Sequence, residues 1–250
     1  MEEFTILIGG EAGQGSRKAG LLLGKILNLW GWQVFIYDDY QSLIRGGHNF
    51  SLIRVSQKKV LTANLTLDFL FALDKKTVEF HRQNLKEKGI LVYSASKIPD
   101  IKGGLGLPLE EWVKETAGIS LMENVALVGA AAKILGISWE MVEKVIKEEF
   151  GKEAEEKNLK VAHLAFGSCK TLLKIPKLPP KAQILLTGNE AIGLGLIKAG
   201  LDSYFAYPMT PTSGILHFLA EKQKKYRLKV CQLENEIGVV NAALGAAWAG

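Results

Sequence analysis

A short apolar run, residues 4–8, interrupted only by Thr5, opens the chain and is closed by Gly9 and Gly10. A run of that length ending in glycine predicts a buried strand that feeds a loop. Ala19, Leu22, Leu23, Ile26, Leu27 and Trp30 then recur at helical spacing, and Gly31 stops the helix. Residues 34–37, 51–56 and 67–73 read as further strands, 77–88 as a helix and 90–94 as a strand. Strands alternating with helices predict an α/β domain with a mostly parallel sheet covered on both faces. From Asn124 to Phe150 the pattern is helical, broken at Gly136, with Ser138 placed to cap the second helix. The Lys/Glu-rich stretch after Gly151 reads as a solvated helix face.

Residues 174–181, Lys-Ile-Pro-Lys-Leu-Pro-Pro-Lys, interrupt this pattern. Proline removes donors and stiffens the chain, so the domain boundary is expected here: a first domain over 1–173, a linker over 174–181 and a second domain over 182–250. In the second part, Asn189 is placed to cap a helix that ends at Gly200. A strand over 203–207 follows, and Thr210 or Thr212 is placed to cap the next helix. A strand over 228–233 and a small-residue helix over 236–249 complete the pattern. Two strands and three helices are too few for a complete doubly wound domain, so the second domain is expected to be incomplete.

Composition narrows the class. With 250 residues, 48% apolar, the chain fits a soluble globular protein. The start shows no basic segment followed by a cleavage site, and no stretch reaches the roughly 18 apolar residues needed to span a bilayer. The expectation is a cytoplasmic protein without membrane association. The net charge of +5 is spread along helices without interleaved aromatics, which argues against nucleic acid and permits acidic partners. Cys169 and Cys231 form no C-x-x-C pair, so neither a zinc site nor an iron–sulfur cluster is expected on this chain; both read as buried or half-buried thiols.

Two segments carry candidate chemistry. Gly9-Gly-Glu-Ala-Gly-Gln-Gly-Ser16 lies between a strand and a helix, where free backbone N–H groups suit an anion. Asp38 or Asp39 could stand in for the ribose-binding acid of a dinucleotide fold, but Lys18 takes the place of the third glycine. Nicotinamide dinucleotide binding, a purely structural turn, and a phosphate or acyl-carrier contact all stay open for this loop. The second segment, Ser42-Leu-Ile-Arg-Gly-Gly-His48, joins a guanidinium to a sharply bending glycine pair. It suits a phosphate or carboxylate, or else a plain turn with Arg45 on the surface and His48 hydrogen-bonded within it.

Taken together, G-G-x-x-G-Q-G and S-x-x-R-G-G-H-N resemble the γ domain of the 2-oxoacid:ferredoxin oxidoreductases. By that resemblance Gly13, Gln14, Gly15, Ser42, Arg45, Gly46, Gly47 and His48 are the domain's signature and candidate coenzyme A contacts. After the linker, Gly188-Asn-Glu-Ala-Ile, Gly200-Leu-Asp, Tyr207-Pro-Met-Thr-Pro-Thr-Ser213 and Glu234-Asn-Glu-Ile-Gly238 follow the order of the family's α subunit. Met209 and Thr212 depart mildly from its usual Y-P-I-T-P-S-S. The resemblance implies an α/β γ-type domain followed by an incomplete pyrimidine-binding domain for thiamine diphosphate.

The resemblance also implies roles. Glu236 would be the acid that hydrogen-bonds the cofactor's aminopyrimidine and helps remove its C2 proton. Thr210 and Pro211 would lie beside the 2-oxoacid, and Tyr207 and Pro208 beside the cofactor. From the residues alone, an acid favouring the helix macrodipole explains Glu234 or Glu236 equally well, and Thr210 could simply cap its helix. His217 reads as a surface residue.

The implied reaction is coenzyme A-dependent oxidative decarboxylation of a 2-oxoacid, with electrons passed to ferredoxin. Fusion of γ before α most resembles the 2-oxoglutarate type; pyruvate and branched-chain acids stay open. The G-D-G motif that holds diphosphate and Mg²⁺ is absent, as are cysteine ligands for a cluster. The resemblance assigns both to partners, a β subunit and a ferredoxin-like subunit, in a hetero-oligomer. The chain is then expected to be a truncated product or natural fragment, inactive alone. A non-catalytic assembly fragment and, further off, a nicotinamide-dependent dehydrogenase are the alternatives.

Overall fold

The computed structural model describes residues 2–40, 47–179 and 184–250. It divides into two compact units, residues 1–183 and 184–250. In the first, β1 (Glu3–Glu11) leads through the glycine loop into α1 (Ser16–Leu29), followed by β2 (Gln33–Asp39), β3 (His48–Ser56) and β4 (Leu67–Ala72). Then come α2 (Lys75–His81), β5 (Leu85–Ser94), β6 (Leu105–Leu107), α3 (Leu109–Glu115), α4 (Glu123–Ile134), α5 (Trp139–Glu149) and α6 (Lys152–Ser168).

The six strands form one sheet in the order β2-β3-β1-β4-β5-β6. β1, β4, β5 and β6 run parallel, while β3 pairs antiparallel with both β1 and β2. The interior of β1 is buried on both faces, which suits its mainly apolar run from Phe4 to Ile8. Ile6 and Ile8 face the larger core, with Leu22, Leu23 and Ile26 of α1 and Leu127 and Val128 of α4. Leu7 faces the other side with Leu52, Leu70 and Leu91, where the cover is thin: Val78 of α2 and Ile98 of the loop after β5. Helical cover is therefore far heavier on one face than the even cover the alternating pattern predicts.

Two expected boundaries move. The helix expected over 77–88 ends at His81, and Leu85 already begins β5, opposite Leu67. Ser138 holds the N-cap position of α5 but makes no side-chain cap bond. The described part of the proline segment packs against the first unit instead of running free. Trp30 Nε1 donates to the Ile175 carbonyl (3.4 Å), Trp32 Nε1 to that of Pro176 (3.0 Å), and Leu178 N to that of Trp30 (3.0 Å).

The second unit holds α7 (Gly188–Lys198), β7 (Ser203–Ala206), α8 (Ser213–Tyr226), β8 (Lys229–Gln232) and α9 (Glu236–Ala249). β7 and β8 are parallel, and Ile215, Leu219 and Leu228 centre a small core. The cap of α7 is Thr187, in a reciprocal capping box with Glu190, and not the expected Asn189. Asn189 instead donates from Nδ2 to the Pro211 carbonyl at 2.8 Å. Cys169 is buried, but Cys231 is exposed, against expectation, because β8 has only β7 as a neighbour among the described residues. Among the described residues no helix is long and apolar enough to cross a membrane.

Candidate functional site

The glycine loop closes on itself at the carboxyl end of β1. Gln14 N donates to the Glu11 carbonyl (3.0 Å), and Glu11 N donates to Gln14 Oε1 (2.8 Å). Gly15, at φ 78°, is the N-cap of α1, and that helix start has no side-chain cap. Its first N–H groups are thus available to an anion. A Cβ on Gly15 would stand 2.1 Å from Asn124 Nδ2, so glycine is required there for packing as well as for its left-handed backbone. Gly13, Gln14, Leu73, Lys97 and Glu123 border a cavity of about 110 Å³ beside the loop, with Lys97 Nζ 2.7 Å from Glu123.

His48 starts β3 directly opposite Glu11, after Gly47 at φ 81°. The motif allowed a histidine hydrogen-bonded within a turn, but His48 lies in the strand and its described partner is distant in sequence. Its Nε2 lies 2.7 Å from Nε2 of His81 at the end of α2, and both rings are buried. Phe50 stacks on His48 at 5.8 Å between ring centroids and meets His81 edge-on at 4.8 Å. Burial holds the His48 imidazole below its usual range. It takes His81 down to about 4, with the neighbouring His48 acting in the same direction. The pair is therefore neutral at pH 7. Ser42, Arg45 and Gly46 lie outside the described residues. A broader surface groove of about 630 Å³, bordered by Trp139, Glu143 and His163, takes in none of the motif residues.

Asp38, a candidate ribose-binding acid, has both oxygens engaged. Oδ1 accepts from Ser51 Oγ (2.7 Å) and Oδ2 from Arg17 Nε (3.1 Å). Lys18, at the third glycine position, reaches Glu149 at 2.7 Å. Neither arrangement favours a dinucleotide.

In the second unit the two motif loops leave the same end of the sheet. Ala206 and Gln232 are register partners, and Leu233 N donates to the Ala206 carbonyl at 3.0 Å. After Ala206 the chain runs through Tyr207, Pro208 and Met209 to a cis Thr210–Pro211 bond. Thr212 Oγ1 donates to the Met209 carbonyl (3.0 Å), which closes the loop, and Thr212 holds the N-cap position of α8 without a side-chain cap bond. Thr210 is exposed, and its hydroxyl has no partner among the described residues, so it does not cap α8. At the neighbouring loop, Asn235 is the side-chain cap of α9: Gly238 N donates to its Oδ1 at 2.8 Å. Glu236 follows in the first turn, exposed, its carboxylate unpartnered among the described residues. His217 is exposed on α8.

His81 and the Lys97–Glu123 pair lie outside the motifs, and Asn235, within Glu234–Gly238, carries a cap that the motif reading gives no role. His81 stands 33 residues from His48, and only the strand order that sets β4 beside β1 joins them. The one local signal is Asp74, whose side chain accepts from Thr77 N at 2.8 Å and so starts α2 next to the end of β1.

Residues 5–168 match the family model described as "Pyruvate ferredoxin/flavodoxin oxidoreductase", and residues 194–250 the one described as "Pyruvate flavodoxin/ferredoxin oxidoreductase, thiamine diP-bdg". Among curated proteins, the chain is 27% identical over 322 residues to 2-oxoacid:ferredoxin oxidoreductase 2, subunit alpha, of Aeropyrum pernix, covering 100% of this chain and 50% of that protein. It is 30% identical over 177 residues to 2-oxoglutarate synthase subunit KorC of Archaeoglobus fulgidus, covering 70% of this chain and 92% of that protein. Its fold is similar to that of a 2-oxoglutarate:ferredoxin oxidoreductase from Magnetococcus marinus, solved with 2-oxoglutarate, coenzyme A and succinyl-CoA bound. The TM-score is 0.79 at 24% identity, over 100% of this chain and 46% of that one. The chain spans about half the length of the first curated relatives it matches. With a family model over most of the first unit and a second over most of the other, the chain belongs to the pyruvate ferredoxin/flavodoxin oxidoreductase family.

Proposed function

We propose that this chain is the α-type part, with its γ domain, of a 2-oxoacid:ferredoxin oxidoreductase, most closely of the 2-oxoglutarate type. The reaction is oxidative decarboxylation of the 2-oxoacid with coenzyme A, in the cytoplasm. Ferredoxin accepts the electrons through an iron–sulfur cluster on a partner chain. One observation carries the reading: the Thr210 loop and the Glu236 helix start leave adjacent parallel strands at the same carboxyl end, where α/β sheets gather ligands.

The donor set fits thiamine diphosphate. Glu236 is an exposed, unpartnered carboxylate at a helix start whose capping is already done by Asn235, so it is free to hydrogen-bond an aminopyrimidine. Tyr207 and Pro208 would border the ring, and Thr210 with Pro211 would face the 2-oxoacid, the free Thr210 hydroxyl donating to its carboxylate. When bound, the cofactor supplies the nucleophilic carbon that attacks 2-oxoacids. Diphosphate and Mg²⁺ would be held by a β subunit that shares the site. In the first unit, Gly13, Gln14, Gly15, Gly47 and His48, with Ser42, Arg45 and Gly46, are the proposed coenzyme A contacts. The uncapped start of α1 suits the phosphates of that ligand.

The test is reconstitution. The chain is mixed with its β subunit, thiamine diphosphate, Mg²⁺ and coenzyme A, and 2-oxoglutarate-dependent viologen reduction is followed beside a Glu236→Gln preparation. Activity in the wild type that vanishes in the variant supports both the class and the acid. Association without activity would instead mark the chain as an assembly fragment. An active Glu236→Gln enzyme would remove Glu236 from its role.

A further inference from the structure

The His48–His81 contact ties together two elements that are distant in sequence. His48 is the first residue of β3 and His81 the last of α2, and their Nε2 atoms stand 2.7 Å apart. With ring centroids 4.9 Å apart, the rings meet nearly end to end through those two atoms. The Nδ1 atoms therefore diverge, and each is buried without a hydrogen-bond partner. Phe50 stacks on His48 and Phe80 stands edge-on to it, which keeps the contact dry.

That geometry limits the protons the pair can hold. In the neutral pair one ring donates from Nε2 and the other, with its proton at Nδ1, accepts. A first added proton settles on Nδ1 of the donor ring, and the contact survives as a charge-assisted hydrogen bond. A second finds only the Nε2 lone pair that makes the contact. Both Nε2 atoms then carry N–H, both rings are positive, and the contact cannot persist. The charges nearby do little to relieve this. Burial is the largest influence on His48 and opposes a proton; Asp74 before α2 and Asp39 at the end of β2 favour one, and Lys76 of α2 opposes it. For His81, burial and then His48 oppose a proton, and Asp39 favours it. From β1, Glu11 lies opposite His48 in register and is exposed. The one charged residue of β4, Asp68, lies near its far end, and Arg82, next after His81, donates to the Lys102 carbonyl at 2.7 Å.

We propose that the His48–His81 contact is a proton-sensitive clasp, which holds the start of β3 against the end of α2 with no added proton or one, and which a second proton opens. The clasp sits beside the glycine loop. Glu11, the register partner of His48, is the residue from which that loop leaves β1, and its carbonyl accepts from Gln14 N at 3.0 Å. Opening the clasp frees the strand end that braces this turn, so acid loosens the loop through a residue outside both sequence motifs.

The full chain, labelled at histidine ring nitrogens and backbone amides, is titrated from neutral pH down to about 4 beside a His81→Gln variant. A glutamine amide can donate to a neutral His48 and accept from a charged one, but takes up no proton itself. In the wild type both rings should respond together at each of two steps. The first step should leave the amides of residues 48–50 protected. The second should speed their exchange about tenfold beyond its intrinsic pH dependence and shift the Gln14 amide. His81→Gln should keep that protection across the whole range. Rings that titrate independently near 6.5, with the strand end unmoved, would overturn the clasp. Loss of protection in His81→Gln at the same pH as in the wild type would overturn it too. The wild-type titration decides the matter even if His81→Gln does not fold.

Discussion

At the α9 start, two adjacent side chains do separable jobs. Asn235 satisfies the Gly238 N–H, while Glu236 has no partner among the described residues. Asn235→Ala should cost about 1 kcal/mol of local stability, read as faster amide exchange in the first turn of α9. Glu236→Gln should leave that exchange unchanged while abolishing turnover in the reconstituted enzyme. His81 supports a second prediction. Its folded-state value of about 4 lies below the ordinary 6.5, so between those values the unfolded chain binds more protons than the folded one. Stability is then full above pH 6.5 and is lost as pH falls toward 4. Urea titrations should show a loss on the order of 2 kcal/mol between pH 7 and 5, much reduced in His81→Phe. An equally steep fall in that variant would remove His81 as the cause. Thr210 and Glu236 stand apart from Thr212 and Glu234 only through the family resemblance, whereas the glycine loop could be singled out from the chain alone because its chemistry is tied to local spacing. The histidine pair could not, since it is made by strand order, and spacing carries no trace of that.

Between elements, close approach is bought with glycine. A Cβ on Gly20 of α1 would lie 2.0 Å from Ser51 Oγ of β3, and one on Gly129 of α4 would lie 2.3 Å from the Ala162 carbonyl of α6. The second obstacle is backbone and cannot rotate away. Gly129→Ala should therefore destabilise the first unit by about 1–3 kcal/mol in urea unfolding. Gly167→Ala, in α6 with open space around it, should instead stabilise by about 0.5 kcal/mol. Equal effects would mean that helix propensity, not packing, governs both sites. Most elements were legible because their apolar residues repeat with a clear period. Residues 85–88 misled because Lys86, Glu87 and Lys88 are exposed and look like a solvated helix, although Leu85 pairs with Leu67 in the sheet. β6 has three residues and so no period to detect.

Across the whole chain, the two units differ in how much apolar surface each buries for itself. The first encloses β1, β4 and α4 almost completely, with Ile6, Leu70 and Leu127 fully inaccessible. In the second, Ile215, Leu219 and Leu228 make up the buried core, no residue of α9 is buried, and Trp248 is 94% exposed. The order of the two units could be read from the motifs. The strapping of residues 175–178 across Trp30 and Trp32 could not, because it depends on proline-segment carbonyls finding indole donors. Hydrophobic burial is the main favourable term in folding, and local opening is easiest where it is sparse. In hydrogen exchange of the full chain at pH 7, the amides of β7, β8 and α9 should exchange well before those of β1 and β4. Addition of the proposed β subunit should slow α9, because a partner that covers Ile237, Val240, Leu244 and Trp248 would supply the burial this unit lacks. If α9 is already as protected as β1 in the chain alone, that exposed apolar face is closed by self-association, and the second unit does not depend on a partner for its stability.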